Sequence, residues 1–314
     1  MTGTATPSSC PRENAAPGVL FCFGCGYVAQ HLAAALLAEG WTVRGTTRDP
    51  AKAEELRAAG IEPFLFARGR PLGDSGRALS GVTHLLVSIP PDEAGDPVLD
   101  EHGEHLRALS SLRWVGWLGT TAVYGDRQGG WVSEEDEPRP GLERAKWRLR
   151  AERAWLGSGL PVHIFRLAGI YGPGRNAIRS LLDGHAHRIV KPGQVFGRIH
   201  VDDIVAVLRA SMARPHPGRI YNVADDEPVP PQDVVAFAAE LLGVEPPPEV
   251  PFEEADLSPA ARAFYAECRR VRNDRIRAEL GVRLKYPTYR EGLRALLPVE
   301  LAGASTAKPS RESA

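Results

Sequence analysis

Gly24, Gly26 and Ala29 stand in a G-x-G-x-x-A run, Gly24-Cys25-Gly26-Tyr27-Val28-Ala29, between the apolar stretch Val19 to Phe23 and the alanine- and leucine-rich stretch His31 to Glu39. Strand, tight turn and helix in that order are what a diphosphate group needs. Gly24 permits the turn, Gly26 lets the backbone approach phosphate oxygens, and Ala29 lets the helix pack closely on the strand. The N–H groups and dipole at the helix start, at Tyr27 and Val28, would face the anion. This predicts a dinucleotide site. Its selective position lies at the end of the next strand, where an acid takes a ribose 2′-hydroxyl and an arginine takes a 2′-phosphate. Here the strand ends Thr46-Thr47-Arg48 with no carboxylate at the strand end itself, and a guanidinium holds phosphate oxygens in a bidentate pair. Asp49 is the acidic rival, but Pro50 behind it makes Asp49 a helix cap. The reading favours NADP over NAD. Ser88, Ile89 and Pro90 end a later strand at the carboxyl edge of the expected sheet, where a further cofactor contact is expected.

Other patterns carry less chemistry. Cys22 and Cys25 form C-x-x-C, but one falls in the first strand and the other in the turn, so a redox pair is not expected, although oxidised Cys25 would obstruct the cofactor. His185 and His187 have strand spacing for a metal but no third ligand, and no metal is predicted. The arginine-dense Arg269 to Arg277 reads as one helix, packed on one face and solvated on the other. With 38 Lys+Arg against 39 Asp+Glu the net charge is -1, which gives no pull toward nucleic acid. Four cysteines in 314 residues are too few for a secreted disulfide framework, and the start, Met1 to Pro17, has neither a basic beginning nor an apolar core. A cytoplasmic protein is expected, with no membrane span, since the longest apolar run falls far short of roughly 20 residues.

The elements that must position these residues alternate. Strands are predicted at Val19 to Phe23, Trp41 to Thr47, Glu62 to Ala67, Val82 to Ile89, Trp114 to Leu118 and Val162 to Leu167. Helices are predicted at His31 to Glu39, Ala51 to Ala59, Pro97 to Leu109 and Glu143 to Leu156. That order implies an α/β fold, a doubly wound, Rossmann-type parallel sheet, over residues 18–171. Beyond residue 172 the pattern loosens, with helices at Val201 to Ala210, Pro231 to Leu242 and Pro259 to Cys268, the last capped by Ser258. This reads as a smaller substrate lobe over 172–300, interleaved with sheet elements. Residues 1–17 and 301–314 read as disordered tails.

Five segments in register resemble the extended short-chain dehydrogenase/reductase (NAD-dependent epimerase/dehydratase) family: Gly24 to Ala29, Leu118 to Gly125 ending Val-Tyr-Gly, Arg166 to Gly174 ending Tyr-Gly-Pro-Gly, Ile199 to Ile204, and Tyr221 to Ala224. The resemblance implies that Thr120 orients a substrate oxygen. It also implies a Tyr-x-x-x-Lys pair about 25 residues later, which this chain lacks. The helix reads Leu142-Glu143-Arg144-Ala145-Lys146-Trp147-Arg148 and admits two alignments, one placing Arg144 and Arg148 at the pair and one placing Leu142 and Lys146 there. Neither restores the acid, because a guanidinium stays protonated at any working pH. The chain thus resembles the tyrosine-lacking members of the group. Arg148 or Lys146 remains available to the nicotinamide ribose, and the family layout makes Tyr124, Tyr171 and His200 substitute acids or bases, each with a packing or helix-anchoring alternative.

The interval Gly174 to Ile199 is short for covering a nucleoside diphosphate, so a small substrate fits better. Arg175, Lys191, Arg198 and His200 leave its mouth basic, which suits an anion if these charges are not simply solvated. The expected function is an NADP-dependent oxidoreductase or epimerase acting on a small hydroxy or keto compound, with Tyr171, Arg175 and Arg198 touching substrate. An NADP-binding sensor without catalysis is the alternative. Oligomeric state is not legible.

Overall fold

The computed structural model describes residues 17–306; the segments 1–16 and 307–314, where most of both expected tails fall, lie outside the described residues. Alternation begins at once, with β1 (Val19–Phe23), α1 (Tyr27–Leu37), β2 (Thr42–Thr47), α2 (Pro50–Ala58) and β3 (Glu62–Leu65). There follow α3 (Ser75–Leu79), β4 (His84–Val87), α4 (Pro97–Arg107), β5 (Trp114–Thr120), a 3-10 turn at Thr121–Tyr124, β6 (Trp131–Val132), α5 (Glu143–Leu156) and β7 (Val162–Leu167). Short polar caps start several of the helices: Asp49 accepts from the Ala51 amide at 2.8 Å with Pro50 at the first helical position, and Asp96 accepts from Val98 at 3.0 Å with Pro97 in that place.

The remaining elements are β8 (Gly169–Tyr171), α6 (Ala177–Leu182), β9 (Arg188–Val190), β10 (Arg198–His200), α7 (Val201–Ala213), β11 (Ile220–Val223), α8 (Pro231–Leu242), β12 (Glu249–Pro251), α9 (Pro259–Phe264), β13 (Arg270–Val271), α10 (Asp274–Ala278) and α11 (Tyr289–Thr306). Seven strands form one sheet in the order β11-β7-β5-β4-β1-β2-β3, every pairing parallel, which confirms the doubly wound α/β fold. The order reverses between β1 and β4, the crevice at which such sheets bind ligands.

Side chains alternate along β1. Leu20 and Cys22 pack with α1 and α7 residues such as Leu32, Ile204 and Leu208, while Phe21 and Phe23 pack on the other face with Val98, Leu106 and Trp155. Thus α7 and β11, late in the chain, return to the nucleotide-side body. Outside it, α6, α8 and α11 enclose a smaller core around Ile178, Val234, Ala238 and Leu293, and a minor cluster gathers Ile189, Ala255 and Tyr265.

Three expectations change. The helix predicted from Pro259 to Cys268 stops at Phe264, and Arg269 to Arg277 is not one helix but β13 followed by α10. Three of its five arginines are spent on separate carboxylates, Arg269 on Glu267, Arg275 on Glu135 and Arg277 on Asp226. Residues 301–306, expected in the tail, continue α11, whose Tyr289, Leu293 and Leu296 form the helical stripe buried in the smaller core. Among the described residues no helix is long and apolar enough to cross a membrane.

Candidate active site

The nucleotide turn is built as the glycines require. Gly24 has φ +88°, and a side chain there would meet Ile89 and Ser88 at 2.9 Å. Its amide donates to Thr46 Oγ1 at 2.8 Å, and the Ser88 hydroxyl donates to its carbonyl at 2.6 Å. Ser88 and Ile89 therefore shape the turn from behind, and Pro90 is exposed just past them. Gly26 is the N-cap of α1, no side chain caps that end, and a Cβ at Gly26 would meet nothing within 4 Å. Open space at an uncapped helix start fits a diphosphate. Val28 is buried in the core, so only its backbone can serve that anion. The Tyr27 hydroxyl donates to the Pro173 carbonyl at 3.0 Å, joining the turn to the loop after β8, and burial pushes its pKa up to about 12.

A residue the sequence reading passed over completes this end. Gly45, inside β2, would place a Cβ 2.0 Å from Cys25 Sγ, so a larger residue there would have to displace that thiol for the turn to close on the strand. The signal was present, since a glycine within a strand marks a close approach. A hydrogen bond from Cys22 holds the Cys25 thiol below its usual range against the opposing effect of burial, with Lys52 adding to the lowering. Lys52 and the exposed Arg48 thus put two cations beyond the end of β2.

At the end of β5, Thr120 Oγ1 accepts from the Ala122 amide at 3.2 Å, which leaves its own proton to give. Arg148 resolves the two alignments of α5. Its guanidinium donates to the carbonyls of Leu118 at 2.9 Å and Gly119 at 3.2 Å, whereas Lys146 points away to an exposed pair with Glu143. Arg148 reaches the functional end of β5, yet its bonds hold the strand rather than a ribose; its buried Nε has no partner among the described residues.

The substitute acids are corrected. Tyr124 is fully buried, donates to Asn222 Oδ1 at 2.7 Å and accepts from Arg166 at 2.8 Å. Arg166 in turn grips Glu152 at 2.5 Å, so Tyr124 belongs to a closed internal network that sequence spacing does not reveal. His200 is 2% exposed and caps α7 by accepting from the Asp202 amide at 3.1 Å, and burial lowers its pKa to about 4. A neutral, buried cap is no proton shuttle at neutral pH. Tyr171 is buried with its hydroxyl aimed at the Thr288 carbonyl at 3.5 Å, and burial raises its pKa.

Thr120 opens on a narrow cleft of about 120 Å³, which shares Gly169, Phe196, Gly197 and Phe264 with a wider cavity of about 660 Å³. The wider cavity brings together Tyr171, Arg175 and Arg198, the three residues expected at the substrate. Lys191 does not join them, because its ammonium donates to the Tyr265 carbonyl and lies 5.2 Å from the Phe252 ring. Phe264, Tyr265 and Tyr289 line this cavity without having been anticipated; all three lie far along the chain from Tyr171 and Arg175 on the same cavity. His185 and His187 also line it, and among the described residues no group of three His, Cys, Asp or Glu side chains could hold a metal.

No family model matches the chain. It is similar to the solved structure of a functionally unknown conserved protein from Silicibacter pomeroyi, 56% identical, with a TM-score of 0.84 over 90% of this chain and 98% of that one. It is 30% identical to Protein YeeZ of Escherichia coli over 241 residues, 71% of this chain and 84% of that protein. It is 27% identical over 308 residues to a 3-diazoavenalumate denitrifying reductase of Streptomyces, 88% of this chain and 98% of that protein. The fold is shared with MoeE5 in complex with UDP-glucuronic acid and NAD, at 21% identity and a TM-score of 0.73, over 91% of this chain and 99% of that one.

Proposed function

This chain belongs to the extended short-chain dehydrogenase/reductase (NAD-dependent epimerase/dehydratase) family, and we propose that it is an NADP-dependent oxidoreductase acting on a small hydroxy or keto compound. The observation that carries the reading is that the open helix start at Gly26, just after β1, and the Thr120 hydroxyl, at the end of β5 and the neck of the cavity, lie at the same carboxyl edge of one parallel sheet. The NAD held by MoeE5 and the reductase activity named for the Streptomyces relative support it. Arg48 and Lys52 beyond β2, with no carboxylate at the strand end, favour the 2′-phosphate form.

A bound reduced nicotinamide would supply hydride. The chain does the rest: Arg148 fixes the end of β5, and Thr120, already accepting from Ala122, donates to the substrate oxygen. The tyrosine acid is absent and both Tyr124 and His200 are sealed in. The proton for that oxygen therefore comes from cavity water through the Thr120 hydroxyl. Titration with NADPH and NADH, then a screen of small carbonyl compounds for loss of the reduced cofactor's absorbance, tests the reading. Thr120→Val should lower turnover by about 100-fold with cofactor affinity unchanged. Binding without any turnover would point instead to a sensor, and absence of binding to either cofactor would overturn the proposal.

A further inference from the structure

The wider cavity has two chemically distinct walls. One is aromatic. Phe196 and Phe264 stack with centroids 4.5 Å apart, and Tyr265 meets Phe196 edge-on at 5.3 Å. Phe264 is 57% exposed although it lines the cavity, an uncovered ring face at the place where a ligand would lie. The other wall is cationic. Arg179 is neutralised by Asp183, with which it shares a hydrogen bond of 2.9 Å. Arg175 has no ion pair among the described residues and lies 5.9 Å from the Tyr27 ring, whereas Arg198 donates to the carbonyls of Phe196 at 3.0 Å and Val229 at 3.5 Å and is balanced by the charge of the buried Asp225 carboxylate. Arg175, exposed and free of a carboxylate, presents the forked donors that a carboxylate ligand satisfies.

The aromatic wall is also the hinge between the two spaces, because Phe196 and Phe264 line both. A neck of about 120 Å³ admits a substituent of a few atoms, whereas the chamber of about 660 Å³ falls within the roughly 300–1,000 Å³ of small-molecule sites. From this geometry we infer that the site takes an aromatic carboxylate, its ring on Phe196 and Phe264, its carboxylate on Arg175, and its reacting substituent passed through the neck to Thr120. The inference rests on the proposed function for the role of Thr120, but ring and carboxylate recognition stand on the cavity alone.

Calorimetric titration of the full chain, with and without saturating NADPH, tests it using four probes: 4-hydroxycinnamate, its methyl ester, 3-cyclohexylpropanoate and UDP-glucuronate. The aromatic acid should bind tightest, with the ester and the saturated acid each about tenfold weaker. Arg175→Ala should weaken the aromatic acid about tenfold and leave the ester unchanged, and Phe264→Ala should narrow the gap between the aromatic and saturated acids. Both side chains are exposed, so both variants should fold, which circular dichroism would verify. UDP-glucuronate or the saturated acid binding as tightly as the aromatic acid would overturn the inference, as would no binding of 4-hydroxycinnamate in either condition. Failure of NADPH to bind while 4-hydroxycinnamate does would sink the proposed function and leave this assignment standing.

Discussion

The two ends of the cleft are built on different plans. At the cofactor end one short run of sequence supplies the turn, and the strands behind it lock that turn with backbone and short side chains, Thr46 on Gly24 and Ser88 on its carbonyl. At the substrate end the walls come from Tyr171, Arg198, Phe264 and Tyr289, carried by separate elements around small cores. A diphosphate is recognised by backbone, which demands one local geometry. A substrate is recognised by side chains, which many assemblies can present.

If that contrast is right, damage behind the sheet should be global and damage at the substrate wall local. The largest effect is expected for Arg166→Leu, which strands Glu152 in a site where both side chains are 2% exposed. Urea unfolding should show a loss of about 3–5 kcal/mol, and a loss near zero would mean that the network is not what holds β7 to α5. Gly24→Val forces a branched residue into a left-handed conformation against Ile89 and Ser88. A loss of about 2–3 kcal/mol with cofactor binding abolished is expected; retained binding would show that the turn can move.

Acid should act on the same body. Burial lowers His84 and His163 to about 4, whereas unfolded histidines take a proton near 6.5. The unfolded chain therefore binds more protons between these values. Stability should be level above pH 6.5 and fall as pH drops toward 4. His163→Gln should shallow that slope in urea titrations, and an unchanged slope would assign it to other groups. Arg48→Ala should weaken NADPH about tenfold, roughly 1.4 kcal/mol, and spare NADH in a fluorescence titration; equal effects on both would remove Arg48 from the 2′-phosphate. The smallest effect is expected for Phe264→Ala, under about 0.5 kcal/mol in stability because the ring is already exposed. A larger loss would contradict the distinction between the two ends.

The sequence by itself determined the strand-and-helix alternation, the Gly24–Gly26 turn, the caps at Asp49 and Ser258, and the absence of the Tyr-x-x-x-Lys pair. These are local properties, fixed by periodicity, by φ at a glycine or by residue identity. Boundaries moved where packing outweighed propensity, as in α11, where a stripe of Tyr289, Leu293 and Leu296 carries the helix into a segment that reads as polar tail. Only the tertiary structure decided that Tyr124 and His200 are sealed inside, that Arg148 rather than Lys146 reaches β5, that Lys191 turns away from the mouth, and that Phe264 lies beside Arg198 across 66 residues of chain. The reason is physical: burial and side-chain neighbours are properties of contacts between distant segments, and no spacing within one segment encodes which of its polar groups will face a partner and which will face a ligand.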